Sequence, residues 1–476
     1  MNTYLKNYWS LYLDFVQDFR SLKYRGFSLS YIIHFPSLIR KNTALWEALY
    51  GDMFGNKLNN RVSDPKEIQE VFNQYVRSHK KKSLEDRKHG KVVINYDTIL
   101  RFPETIFNNY FDRSQTVMVM AGSKSNKRPS VDALNNKQYF HYPTKYLSNY
   151  VTHTKEAVLQ VQSQARTIFH SYTNHHLYQE KTFQNIMLKK IAEAINRIEQ
   201  SIRFLTEVPT SCIVVSTTHS FISRILALAA VERGIPTICM QHGIIGSELG
   251  YIPKIATVDA VYGHFEKDWF KARGAPKGSI EIIGHPRFDQ AFLPPTISRN
   301  KFFKQLGVDR NKKTLLIVVR GNRDVDQWRI LINTLSRQHY LNILVKDFPN
   351  DVPHTLTKEF PFVHSTQSFD LYNILHKVDC VVSYPSTVAL EAMLTQKPAF
   401  ILDNKIPSYT GYFNGLDELV QTDPQKLGEL IINYFNDLNW ANNVKEKREK
   451  FIRYAYPSES SSGERLKKLI NKLINN

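Results

Sequence analysis

The stretch Ser211 to Gly243, "SCIVVSTTHSFISRILALAAVERGIPTICMQHG", admits few folds. A short β-branched run leads into a Ser/Thr-rich turn in which Thr218 can cap a helix. An apolar helical segment follows, Gly234 stops it, and a second short apolar run comes after Pro236. Two strands apolar on both faces and joined by a helix make a βαβ unit of a buried parallel sheet.

The same alternation extends in both directions. "KVVINYD" and "QTVMVMAG" read as strands upstream, while "DAVYGH", "FEKDWFKARG" and "SIEIIGHPRFD" give strand, helix and strand downstream. Around residues 291–313 the periodicity lapses into a Pro-Pro pair and dense charge, the mark of an interdomain linker. A second array then runs from "TLLIVVRG" through "LNILVKDFP", "PFVHS" and "DCVVSY" to "KPAFILD". No tandem period and no low-complexity tract interrupts it. The expected fold class is α/β, with two Rossmann-like parallel-sheet domains, 91–290 and 314–422. A helical, aromatic-rich N-terminal extension (1–90) precedes them and C-terminal helices (423–476) follow.

A chain of 476 residues is long enough for two or three such cores. Its formal charge of +19 calls for an anionic partner. Nucleic acid is not expected, because the aromatics do not interleave with Lys and Arg in any module pattern. Cys212, Cys239 and Cys380 sit apart in apolar runs, which suggests neither a disulfide framework nor a zinc cluster and fits a reducing cytoplasm. Charges break up the N-terminal apolar residues, so neither an export signal nor a membrane span is expected.

In open parallel sheets ligands bind beyond the carboxyl ends of the strands, so polar residues placed there carry weight. "MQHGIIGSELGY" delivers His242 to a glycine-rich loop with Glu248 as its one acid, and an imidazole can take a proton from a hydroxyl near neutral pH. Capping a strand end is the plain alternative for His242. "IIGHPRFD" brings His285 and Arg287, both able to donate to phosphate, although a tight turn with an Arg287–Asp289 pair would also account for it. Arg320 and Lys346 end two strands of the second array on one edge, where solvated cations are equally ordinary. "SYPSTVALEAML" follows a strand with Ser383, Ser386 and Thr387 and places Glu391 inside the next helix. Such an elbow offers hydroxyls and free N–H groups at the positive end of a helix dipole, or simply caps a buried helix.

Other motifs carry less. Asp324-Val325-Asp326 has metal–nucleotide spacing but lies where helix N-terminal acids are common, and His175-His176 lacks ligand partners. No P-loop or GxGxxG follows a strand.

Taken in order, "QHG", "YGHFEKDWFKARG", "IIGHPRFD", Lys346 and "SYPSTVALEAMLTQKPAF" resemble bacterial GT-B glycosyltransferases of capsule and teichoic-acid synthesis. The resemblance is to capsular polysaccharide transferases and CDP-glycerol glycerophosphotransferases, over about residues 205–405. It implies a cleft between two domains, with His242 as general base and Glu248 beside it as the catalytic pair. Donor-nucleotide binding would fall to His285, Arg287, Arg320, Lys346, Ser383, Ser386, Thr387 and Glu391. No metal or other cofactor is implied, since the nucleotide-activated donor is itself the substrate. The partners expected are a nucleotide-sugar donor and a glycan or lipid-linked acceptor. The chain departs from the family where Asp347-Phe348-Pro349 follows Lys346 in place of a histidine-proline pair. "GERLKKLINKLINN" is amphipathic and could rest on an anionic membrane at the inner face of the plasma membrane, or pack on its own domain.

Overall fold

Apolar β-branched runs, each too short to span more than one pass of a sheet, build two all-parallel sheets. The computed structural model describes residues 1–80, 85–96, 100–122, 141–150, 153–347, 352–457 and 461–475. Phe348, Pro349 and part of the basic stretch before Lys91 lie outside the described residues. After a small hairpin of β1 (Lys23–Tyr24) and β2 (Phe27–Ser28) come β3 (Lys91–Asn95), β4 (Thr116–Met120), β5 (Thr144–Tyr146) and β6 (Thr210–Val215). The first sheet is completed by β7 (Thr237–Met240), β8 (Val258–Val261) and β9 (Ile280–Ile282), in the order β5-β4-β3-β6-β7-β8-β9. The second holds β10 (Lys313–Val319), β11 (Leu341–Asp347), β12 (Val363–Ser365), β13 (Cys380–Ser383), β14 (Ala399–Leu402) and β15 (Val420–Gln421), ordered β12-β11-β10-β13-β14-β15. Both are doubly wound, and each reverses direction beside its first strand, at β3/β6 and at β10/β13. Every residue of β6 and β13 is buried, as strands covered on both faces must be.

The N-terminal helices are not a separate appendage. Helix Thr3–Asp18 buries Tyr8, Trp9, Leu11, Tyr12 and Phe15 in one core with helix Lys181–Glu207, Ile225, Ile245 and Trp269 of the first sheet's domain. The interdomain stretch 291–313 carries helix Arg299–Leu306, whose Phe302 and Phe303 lie in the second domain's core.

The C-terminal helices fasten the two domains together. Helix Pro424–Asn436 packs with the second domain, and helix Leu438–Ala455 crosses to the first. The crossing is close: a Cβ on Gly263 would stand 2.3 Å from the backbone C and O of Ala455. Helix Ser462–Asn475 then lies on the first domain, with Leu466, Leu469 and Ile470 buried against Ile94, Phe102 and Ile106. Asp289 caps it, accepting from Ser462 N at 3.0 Å and Gly463 N at 3.2 Å. Of the two outcomes its sequence allowed, packing on its own domain or resting on a membrane, the apolar stripe takes the first, because the domain supplies the nearer apolar partner. Among the described residues no helix is long and apolar enough to cross a membrane.

Candidate functional site

The loops after β7 and β14 meet, so the carboxyl ends of the two sheets face one cleft. Ser247 Oγ and Ser408 Oγ are 2.7 Å apart, Glu248 N donates to Ser408 O at 3.0 Å, and Thr410 Oγ1 donates to Ile245 O. At the floor, Thr387 Oγ1 accepts from Ile244 N at 3.3 Å, two residues beyond His242. A Cβ on Gly243 would sit 3.4 Å from that hydroxyl, which is contact without clash. The first strand-end motif and the elbow of the second domain thus touch across the cleft.

His242 is held by its neighbours rather than by its own bonds. Gln241 accepts from Tyr262 N at 3.0 Å and donates to Gly243 O at 2.7 Å and to Glu266 Oε1 at 3.0 Å, locking the loop. The Tyr251 ring stacks on the imidazole at 4.9 Å, and its hydroxyl donates to Gly243 O and Ile244 O. Burial pushes the His242 pKa down to about 4, so the ring is neutral at physiological pH. Beneath it, burial raises Glu266 to about 7.

The elbow forms because β13 ends at Ser383 and Ser386 takes extended backbone (φ −147, ψ 161) before helix Thr387–Leu394. Ser386 makes no side-chain cap bond; its Oγ turns back to Ser383 Oγ at 3.4 Å, and Ser383 Oγ donates to Tyr384 O at 2.8 Å. The first-turn N–H groups are therefore left without a side-chain acceptor at the positive end of the dipole. Arg320, exposed, ends β10 on the neighbouring side of the switch point. Lys346 ends β11, with Nζ donating to Phe369 O at 2.9 Å.

Three of the expected donor ligands and the expected catalytic Glu248 are engaged by other parts of the chain. His285 is 4 % exposed, ringed by Phe102, Tyr262 and Phe288, and its Nδ1 accepts from Arg287 N at 3.1 Å: it caps a turn. Gly284, at φ +71, has no room for a Cβ, which would fall 2.6 Å from Tyr456 Oη and Ser462 Oγ. Arg287 Nη2 pairs with Glu391 Oε2 at 3.0 Å, and Tyr372 Oη donates to Glu391 Oε1 at 2.7 Å. With Glu391 only 1 % exposed, this triad joins the domains and engages both of its carboxylate oxygens. Glu248, expected beside His242 as a catalytic acid, instead accepts from Trp9 Nε1 at 2.7 Å and from Arg273 Nη2 at 3.0 Å, anchoring the N-terminal helix. His285 thus closes a turn, while Arg287–Glu391 and Glu248 join domains and layers, because a conformationally demanding junction needs the same glycines, histidines and ion pairs as a ligand site.

One cleft residue escaped the sequence reading. His219 follows β6, at the first sheet's switch point, where the strand-end rule applied elsewhere would have marked it. A small cavity of about 20 Å³ runs between its turn and His242, lined by Thr217, Thr218, Gln241 and Tyr251 among others. Among the described residues no group of three or more His, Cys, Asp and Glu side chains could hold a metal ion.

The fold has counterparts among solved structures. A UDP-N-acetylglucosamine 2-epimerase superposes with a TM-score of 0.51 at 12% identity, over 83% of this chain and 98% of that one. The Neisseria meningitidis UDP-GlcNAc 2-epimerase bound to UDP-GlcNAc gives 0.51 at 11% identity, over 81% and 98%. The S. aureus MnaA–UDP structure gives 0.50 at 11%, over 81% and 97%. The fold is GT-B-like. No protein-family model matches the chain, and no curated protein matches it in sequence.

Proposed function

We propose that the protein is a metal-independent glycosyltransferase, moving a sugar from a nucleotide-activated donor to a cell-envelope polysaccharide or its lipid-linked precursor. The observation that carries this reading is the Thr387–Ile244 contact, which sets an uncapped helix N-terminus within two residues of a neutral histidine on the opposite domain. The diphosphate of the donor sits on the first-turn N–H groups and hydroxyls of Ser386 and Thr387, with Arg320 and Lys346 as the cations of that edge. Solved neighbours of the same fold that hold UDP and UDP-GlcNAc support a nucleotide-sugar occupant.

The acceptor hydroxyl attacks the anomeric carbon, the bond from that carbon to the phosphate oxygen breaks, the nucleotide leaves with the electron pair, and His242 takes the hydroxyl proton. An imidazole held near 4 by burial is by itself a weak base. The diphosphate's negative charge raises it toward the range a general base needs, so donor binding switches the base on. Fixed N–H donors stabilise the leaving diphosphate as its charge grows.

Calorimetric titration with UDP, CMP and CDP tests the reading. One of them should bind, and Thr387→Val should weaken it about tenfold while leaving the fold intact; binding by none of the three would end the proposal. Preference for CDP over UDP, with CDP-glycerol turned over, would shift the donor to glycerol phosphate on the same seat.

A further inference from the structure

The N-terminal helix Thr3–Asp18 reaches the loop that carries His242 through a polar contact as well as through packing. Trp9 is fully buried, and its ring N–H donates to Glu248 Oε1 at 2.7 Å. The other carboxylate oxygen accepts from Arg273 Nε at 3.1 Å and Nη2 at 3.0 Å, and the Arg273 guanidinium lies over the Trp269 ring at 4.4 Å. Glu248 is therefore held on both oxygens, by the N-terminal helix on one and by the residue that ends helix His264–Ala272 on the other. A phenylalanine would fill the same aromatic core at position 9; the indole adds an N–H for a carboxylate buried there. The Glu248 backbone passes the constraint on. It opens the single turn Glu248–Gly250, and its carbonyl accepts from Tyr251 N at 3.1 Å and Ile252 N at 3.3 Å. The Tyr251 ring then lies over the His242 imidazole at 4.9 Å with 11° between the planes, while its hydroxyl is shared between Gly243 O at 2.9 Å and Ile244 O at 3.0 Å. With no side-chain hydrogen bond to fix it among the described residues, the imidazole takes its plane from this ring. Burial holds the His242 pKa at about 4, and a ring that slips admits water and raises it.

We propose that Trp9, Glu248 and Tyr251 are positioning residues of His242: the N-terminal helix and Arg273 fix the Glu248 carboxylate, Glu248 fixes the turn, and the turn lays Tyr251 on the imidazole. The helical extension thereby acts on the site from 239 residues away in sequence, beyond completing a core. That the positioned imidazole serves as a general base rests on the transferase reading; that the helix sets its plane and its cover does not.

The test uses the full chain with 15N-labelled histidine and follows the His242 signal, identified by its absence from His242→Gln, against pH. Trp9→Phe keeps an aromatic ring and removes the donor, Arg273→Gln frees the other carboxylate oxygen, and Tyr251→Leu removes the stack. The proton affinity of His242 should rise about tenfold in Tyr251→Leu and about threefold in Trp9→Phe and Arg273→Gln, as its cover loosens. Tyr251→Phe, which keeps the stacked ring, should lie closer to wild type than Tyr251→Leu. UDP affinity, read by calorimetry, should stay within about twofold in Trp9→Phe, because the elbow at Thr387 makes no contact with Trp9. Arg273, with a side chain 25% exposed, keeps the test open if the buried Trp9 variant misfolds. A lowered urea midpoint with His242 proton affinity unchanged in Trp9→Phe and Arg273→Gln would reduce the joint to packing and overturn the proposal. Absence of UDP binding in the wild type, with the His242 shifts present in the variants, would count against the transferase reading and leave the positioning standing.

Discussion

Glu391→Gln distinguishes an interdomain joint from a ribose ligand. The wild-type carboxylate faces the Arg287 guanidinium at 3.0 Å and accepts from Tyr372 at 2.7 Å in a site where Glu391 is 1 % exposed. At an effective dielectric near 20, opposite charges at that separation attract by about 5 kcal/mol before desolvation is counted. Removing one partner of a buried pair costs about 3–5 kcal/mol, because the other charge stays behind. The Arg287 side chain retains 18% exposure, which lets water share its charge and points to the lower end, about 3 kcal/mol. That is more than a hundredfold in an unfolding equilibrium. Arg287→Met, which strands the more deeply buried Glu391 carboxylate, should cost at least as much as Glu391→Gln, and the double variant Arg287→Met/Glu391→Leu less than the sum of its parts. Urea unfolding of the full chain reads the stability, and nucleotide titration below the transition reads the site. Wild-type unfolding midpoints in both single variants, together with a tenfold or greater loss of nucleotide affinity, would refute the reasoning and restore both residues to the donor site.

His242→Gln should lower turnover by about 10²- to 10⁴-fold with nucleotide affinity nearly unchanged, measured by product formation beside calorimetry. The imidazole should titrate near 4 in the free protein and higher with UDP bound, read by NMR. Glu266 titrates near 7 when folded against an ordinary value of 4.5, so the stability tied to its protonation is present below about pH 4.5 and lost as pH rises through 7. Relative to wild type, Glu266→Gln should therefore gain on the order of 3 kcal/mol across that window, and a flat difference curve would contradict the assignment. Gly263→Ala should loosen the crossing helix Leu438–Ala455, since its Cβ would meet the Ala455 backbone at 2.3 Å; faster limited proteolysis after residue 436 is the readout.

Much of the fold is legible in local pattern. Runs such as "CIVV" and "LLIVV" can satisfy neither face outside a covered parallel sheet, and Gly234 ends its helix wherever the chain goes. The strand-end rule likewise placed His242, Ser386 and Thr387 at the carboxyl edges of the sheets, where the structure has them, because that edge is set by strand direction alone. What the sequence could not decide is which polar residue at an edge faces ligand and which faces another part of the chain. His285, Arg287, Glu391 and Glu248 have the right chemistry at the right strand ends, yet partners up to 239 residues away in sequence, as Trp9 is from Glu248, occupy them. The same holds for the last helix, whose apolar stripe was plain in the sequence while the surface it covers was not. Periodicity is a property of neighbours along the chain; the occupancy of a side chain's hydrogen bonds is settled only by which distant segments the two sheets and the crossing helices bring together.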